Sequence, residues 1–552
     1  MYSFEKENGL SEKYIKRLPV KEVLFALIPL AVSVLIMMGI EYLALPALTL
    51  RSPGFAWFVV AGIAILAISY AVFFQLMDWD GFWLVPWIVL GAVILIALVM
   101  GMTSWTCFHA PKAVAVADVT VSETAVTEAF PDLAEAGSVE SLALVDLDSA
   151  VMLGDKKVAG LKNASWYDIN KDYNLIQYQG KIYRLSFLEY GGLRKWWKAK
   201  YDGIPGYVLV ECTPEGGVVS QSATLVELEE PIRYSEGAYF GHDLRRHLRR
   251  QYPQYMFDES RPEIDDNGTP YYVTGVLRPT CGVWGVRTVS SVILTNAQTG
   301  ESAEYAVDQV PEWVDNIYSL DYLMDIAGWH YAYRRGWWNA VFGGKTDVWY
   351  TSYHYRDSRS NSDDGKFANF YGYSATVVNG RVTLYTGLTA ANSAESNLGW
   401  LLLDARSGKM TQYAVVGAEE SSAQAAAEQL VSAYRYQATF PLPVNVGGEP
   451  TYLMCLKGAA GIVQGYALCN VDNYAIVVQA ETLPEAIGQY LAKLGHTQVA
   501  PPIQSAPTDE YVGAEVFFDG EVVNTYTIEV NGTTQIYFEM DDGSVYVVVK
   551  IK

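Results

Sequence analysis

The chain has 552 residues, 51% of them hydrophobic, with 39 Lys and Arg against 61 Asp and Glu and a formal charge of −22. Residues 1–103 hold 6 basic and 7 acidic side chains, so the acidity lies in the remainder, which holds 33 against 54. Such a region repels phosphate backbones, which excludes nucleic acid as a partner held by net charge, and its apolar and aromatic content excludes disorder.

Three uncharged runs open the chain. Residues 23–40, 55–77 and 82–102 extend over 18, 23 and 21 positions, each close to the roughly 20 that cross a bilayer core. A cleaved signal peptide is the alternative for the first run, but its apolar core is long, no small-x-small site follows, and two more spans come directly after. Trp57, Trp79, Trp83, Trp87 and Trp105 lie near the span ends, where an indole prefers the headgroup layer. Lys6, Lys13, Lys16, Arg17 and Lys21 precede the first span, whereas only Lys112 lies in the 20 residues after the third. Basic residues resist translocation, so the N-terminus is expected in the cytoplasm and the long C-terminal part outside it. That makes a multi-pass membrane protein, with the lipid bilayer as its first partner.

Residues 104–139 lack an amphipathic period and read as a stalk. Strands dominate thereafter. ILTNAQTGESAEYAV (293–307) and LLLDARSGKMTQYAV (401–415) repeat 108 positions apart, each an apolar run, a turn with Gly300 or Gly408, and a second run, so each predicts a β-hairpin. A Gly-x-Pro-x-Tyr-like element opens a strand at residues 203–207, 268–272 and 448–452. Helical stretches at 241–251 and 419–434 precede two of these, which gives a repeated unit of helix plus antiparallel meander. A further helix at 483–494 carries a capping box from Thr482 to Glu485 and ends at Gly495. Residues 511–552 give four apolar runs separated by Asp-Gly and Asn-Gly turns, a small meander.

The predicted fold is therefore a three-helix transmembrane anchor, then an α+β extracytoplasmic region, then a small all-β domain. Its expected boundaries are 1–22 (cytoplasmic N-terminus), 23–103 (spans), 104–139 (stalk), 140–235 (β-rich), 236–416 and 417–496 (both α+β), 497–510 (linker) and 511–552 (β-meander). Five cysteines fit no disulfide framework or metal spacing; Cys455 and Cys469 fall on neighbouring strands, where one bridge is conceivable, and buried free thiols are the other reading.

DLDSAVMLGDKK (146–157), LEYGGLRKWW (188–197), DGIPGYVLV (202–210), VPEWVDNIY (310–318) and GGEPTYLMCLKGAAGIV (447–463) resemble a family of large bacterial membrane proteins with a β-rich extracytoplasmic region. That resemblance covers most of residues 140–490 and brings no activity or functional residue with it. In topology alone, the helix-plus-meander unit is similar to PepSY domains, extracytoplasmic modules associated with peptidase control or sensing, which implies a binding module.

Motifs for chemistry are scarce. The six histidines form no HExxH, residues 342–346 lack the first glycine of a phosphate loop, and the acidic turn at 263–268 lacks a calcium loop's twelfth ligand. No cofactor or metal site is predicted. What stands out is basic and aromatic side chains in an acidic region: Arg194, Lys195, Trp196 and Trp197; Arg245, Arg246 and Arg249 on one helical face; and Arg334, Arg335, Trp337 and Trp338. Such clusters suit sugars, carboxylates or phosphates, and the plainer alternative is that the tryptophans fill cores while the arginines neutralise nearby acids. A mobile polar loop is expected at 356–369. The leading function is a non-enzymatic binding, sensing or scaffold protein of the bacterial envelope, taking a protein, peptide or envelope polymer. A glycan or peptide hydrolase and an accessory subunit of a membrane complex remain as alternatives.

Overall fold

The computed structural model describes residues 20–76, 84–135, 138–161, 163–354, 371–392, 396–458, 461–495, 522–530, 533–540 and 545–549. Three helices come first, α1 (Val20–Ala44), α2 (Pro53–Leu76) and α3 (Val85–Thr103), packed α1 on α2 and α2 on α3. All three are long and apolar enough to cross a bilayer, and large side chains such as Leu35, Leu43, Leu76 and Leu95 point away from protein. They mark the chain as a membrane protein.

After α4 (Thr106–Val114) and β1 (Asp118–Val121), the described residues repeat one plan four times: a helix, then an antiparallel meander. Unit one starts with α5 (Leu147–Val158), β2 (Tyr167–Ile169), β3 (Asn174–Tyr178) and β4 (Lys181–Tyr190). It continues through α6 (Leu193–Ala199), β5 (Ile204–Glu211), the small hairpin β6 (Pro214–Glu215) and β7 (Val218–Val219), and β8 (Ala223–Ile232). Unit two is α7 (Leu244–Gln251) with β9 (Met256–Ile264), β10 (Pro270–Pro279), β11 (Arg287–Asn296) and β12 (Ser302–Tyr305). Unit three has α8 (Leu320–Tyr333), α9 (Trp337–Val341), β13 (Trp349–Thr351), β14 (Ser374–Val378), β15 (Arg381–Ala390), β16 (Ser396–Asp404) and β17 (Lys409–Tyr413). Past β18 (Gly417–Ala418), unit four has α10 (Glu420–Leu430), β19 (Gln437–Ala438), β20 (Leu442–Val446), β21 (Glu449–Lys457), β22 (Val463–Asn470), β23 (Val477–Ala480) and the closing helix α11 (Leu483–Lys493). A continuous core joins the units, with Leu185, Val276, Leu388 and Leu468 in one buried cluster.

In units one, three and four the first strand is split: β2 and β3 both pair with β4, β13 and β14 with β15, and β19 and β20 with β21. The turn into the next strand puts two residues at positive φ each time, Gln179–Gly180 (50° and 78°), Asn379–Gly380 (50° and 71°) and Gly447–Gly448 (64° and 82°). That geometry matches the right-handed strand twist and explains the glycine at the second position. The two expected hairpins at 293–307 and 401–415 are β11–β12 and β16–β17. In both, a carboxyl or amide side chain closes the turn: Asn296 Oδ1 accepts from Gln298 N (2.9 Å), and Asp404 Oδ1 from Arg406 N (2.8 Å). Each hairpin then grips the entry to its own unit's helix. Ala297 O accepts from Arg233 N and Tyr234 N (both 2.9 Å), and Ala405 O from Ile317 N (3.0 Å) and Tyr318 N (2.9 Å).

Several expectations change. Residues 104–135 are not a free stalk: β1 runs parallel to β17 with Asp118 opposite Lys409, and Phe130 is buried with its ring 6.3 Å from that of Trp400. The expected unit 236–416 is two meanders on separate sheets, because unit two closes with β12 before α8 begins another. Cys455 and Cys469 sit opposite Tyr466 and Tyr452, so the register keeps them apart; both are free thiols. Thr482 takes the N-cap of α11 without a side-chain cap bond, while Gly495 turns to φ 81° as expected. Of the four C-terminal runs, three are strands, β24 (Val522–Val530), β25 (Thr533–Met540) and β26 (Val545–Val549), and the first lies outside the described residues, as does the polar loop at 356–369.

Among the described residues, the spans and the β-rich region meet at one place. Leu48 N donates to Pro253 O (2.7 Å), Trp284 Nε1 to Leu50 O (2.8 Å), and Ser104 Oγ accepts from Val283 N (3.1 Å) and Trp284 N (3.0 Å). The α1–α2 loop and the end of α3 are therefore on the same side. Ala47 packs with Met256 at the start of β9 and Leu277 near the end of β10, so these strands stand with one end against the anchor.

Candidate functional site

A polar cleft of about 310 Å³ opens where units one, two and three meet. Its walls come from the β2–β3 loop, β4, β9, the starts of α5 and α8, and the strands β14 and β15. Two arginines form its buried part. Arg184 lies on β4 opposite Leu175 and Val210, an inward position on a face it shares with Ile182, Ser186 and Leu188, and is 8% exposed. Its Nε donates to Val145 O (2.7 Å), but its two Nη groups meet no acceptor among the described residues. Arg261 on β9, also 8% exposed, donates from Nη1 to Glu259 O (3.1 Å) and from Nη2 to Ile317 O (2.8 Å), with Asp258 3.6 Å away, and leaves its Nε unpaired. Burying a guanidinium costs several kcal/mol unless its donors are matched, and Arg184 meets that cost by turning its free Nη donors into the space of the cleft. A smaller hollow of about 50 Å³ shares Arg184, Tyr371 and Tyr373 as a wall.

The rim has the opposite sign. Asp172, Glu236, Glu259 and Asp321 line the cleft and keep their side chains wetted. Partial burial among protein atoms, with Glu189 beside it, pushes the Glu236 carboxyl up to about 7, and Arg245 draws it back only in part. Glu259 is raised by the same desolvation and by Asp172. Leu147, Leu320, Val382 and Leu384 supply an apolar wall, and Tyr318, Tyr371 and Tyr373 line the space between. Tyr371 OH is held by Asp148 and Tyr353 OH by Asp321, so the aromatic and acidic members position one another. Among the described residues, no three His, Cys, Asp or Glu side chains converge as metal ligands. Burial raises the thiols of Cys212, to about 11, and of Cys469, to about 12, far from nucleophilic use.

The basic and aromatic clusters legible in the sequence do not line this cleft. On α6, Trp196 is buried, Arg194 is exposed, Lys195 sits 3.8 Å from Asp168, and Trp197 lies outward with Lys200 Nζ 3.6 Å over its ring. On α7, Arg246 donates from Nη1 to Tyr42 O (2.6 Å) and stacks 3.8 Å over the Tyr42 ring, and Arg249 donates from Nε to Leu45 O (3.1 Å). Arg246 and Arg249, two of the four α7 arginines, thus hold the end of α1 and the start of the α1–α2 loop, and Arg245, exposed, acts on Glu236. Arg335 pairs with Asp347 (2.8 Å), and Arg334 donates to Asp347 O (2.7 Å) while stacking 3.9 Å over Trp349. Trp337 and Trp338 stack edge to face at 5.2 Å, with Trp338 exposed. The cleft residues that sequence reading missed, Arg184 and Arg261, had one local signal: a charge at an inward strand position.

No protein-family model matches the chain, and no curated protein is significantly similar to it. Fold and site define a membrane-anchored, β-rich protein with an internal polar cleft.

Proposed function

We propose that the chain is a binding or sensing protein of the bacterial envelope, held in the cytoplasmic membrane with its N-terminus inside and its β-rich, PepSY-like units outside. The ligand sits in the cleft. It carries an anionic group that meets Arg184, a cationic group that suits the acidic rim, and an apolar body against Leu320 and Leu384, the chemistry of an amino acid or a short peptide. The single observation behind this reading is Arg184, a buried guanidinium with donors to spare facing a space large enough for such a molecule. Native mass spectrometry of the full chain released gently from its own membranes tests it. A bound small mass is expected on the parent chain and is lost in Arg184→Met; a parent chain that carries none at any detergent concentration overturns the reading.

A hydrolase of envelope glycan or peptide draws support from Glu236 alone, since a carboxyl titrating near 7 beside other carboxylates is what a general acid requires. Binding remains the better reading, because the aromatic and basic surfaces that would hold a polymer lie elsewhere. Turnover of a peptidoglycan fragment by the parent chain, absent in Glu236→Gln, would reverse that order.

A further inference from the structure

The aromatic and basic clusters left unused by the cleft have a common position relative to the spans. Two residues separate α3 from helix α4, which buries Ala110 and Ala113 while Phe108 and the capping Trp105 stay exposed. An apolar face of that kind, continuous with a membrane span, has no aqueous rationale. Helix α9 packs against α4, and on it Trp338 is 68% and the following Phe342 71% exposed, their rings 5.5 Å apart. Arg335 and Lys345 flank the pair. On the other flank, Trp197 is 60% exposed on α6, and Phe240 packs beside its neighbour Trp196 at 5.4 Å. Phe240 lies six residues before Arg246, whose guanidinium covers Tyr42 at the end of α1. Lys198 and Lys200 accompany this second group. Indole rings interleaved with Lys and Arg are the composition that settles at a headgroup layer, ring inward and cation toward phosphate.

We propose that α4 with α9, and α6 with Phe240, rest in the headgroup layer of the leaflet reached by the end of α3, so that the β-rich region lies on the bilayer on two aromatic, basic feet. The docking at Tyr42, Leu45 and Ser104 fixes the middle, and the feet remove tilt on either side. The occupant of both patches is lipid, because the first is continuous with the end of α3 and the second leads along the chain into Arg246, which grips Tyr42, and among the described residues neither is covered by protein.

The test uses the full chain, with Cys107→Ser to remove the half-buried thiol, reconstituted into phosphatidylethanolamine and phosphatidylglycerol vesicles. Phe342→Cys, Trp197→Cys and Asp266→Cys each receive an environment-sensitive fluorophore; Asp266, in the β9–β10 turn, marks the end of β10 remote from Leu277, about 25 Å away at about 3.4 Å per residue. At the two feet, spin-labelled lipids are expected to remove most of the emission while aqueous iodide has little effect, and at Asp266 the reverse. Iodide quenching at either foot equal to that at Asp266 overturns the proposal. So does shielding from both quenchers, which would mean that a protein covers the patch.

Discussion

Two regions of the molecule hold a glutamate pushed up to about 7, and they differ in who answers its hydrogen bonds. Glu420, at the start of α10, is fully buried; it accepts from Tyr385 OH (2.8 Å) and Ser352 Oγ (3.2 Å). Next to it, Tyr452 OH accepts from Asn397 Nδ2 (3.0 Å) and Trp400 Nε1 (3.2 Å) and donates to Ala418 O (3.3 Å). Every donor named there has a protein acceptor. In the cleft, Glu236 stays wet and Arg184 keeps unmatched donors. A closed network specifies a core, whereas an open one of the same ingredients specifies a vacancy to be filled from outside.

The comparison can be broken at three points. The largest effect is expected from Tyr452→Phe, which leaves the Asn397 and Trp400 N–H groups without an acceptor in a dry core. A loss of about 4 kcal/mol follows if each costs about 2, and denaturant unfolding of the full chain in detergent measures it. Next is the pH dependence of Glu420. Its carboxyl, ordinarily near 4.5, holds its proton in the folded state up to about 7. Stability from this group is therefore full below 4.5 and is lost as pH rises toward 7, by roughly 3 kcal/mol at about 1.4 kcal/mol per pH unit. In Glu420→Gln that slope should vanish from a series of melts; an unchanged slope would show that Glu420 is not the group that titrates. The smallest effect is expected at Arg184→Met, below about 1 kcal/mol, because the bond to Val145 is the one protein hydrogen bond lost and the Nη groups leave no protein partner behind. A cost equal to that of Tyr452→Phe would place Arg184 in the core instead.

Sequence periodicity and turn chemistry carried the local architecture. Span lengths, the Gly300 and Gly408 hairpins and the strand starts at Gly203, Gly268 and Gly448 are all decided by residues close together in the chain. What was hidden is long-range. The parallel pairing of Asp118 with Lys409 joins strands nearly 300 positions apart, and nothing in β1 itself announces a partner. The same limit applies to the site. Arg246 and Arg249 were visible as a cationic stripe, but the carbonyls of Tyr42 and Leu45 that take up their donors lie some 200 residues earlier. Arg184, conspicuous once its neighbours are known, was one of two basic residues, with Lys181, in a ten-residue strand.

The footing of β9 sets how far the Arg261 end of the cleft stands from the anchor. Met256 packs at Ala47 and Arg261 follows five positions along the strand, a path of about 17 Å. That is roughly two Debye lengths at physiological salt, so the charge of anionic headgroups is largely extinguished at such a height. Admission to the Arg261 end of the cleft would then be governed by Asp172 and Glu259 rather than by the composition of the leaflet, and a change of lipid should leave the choice of guest there untouched.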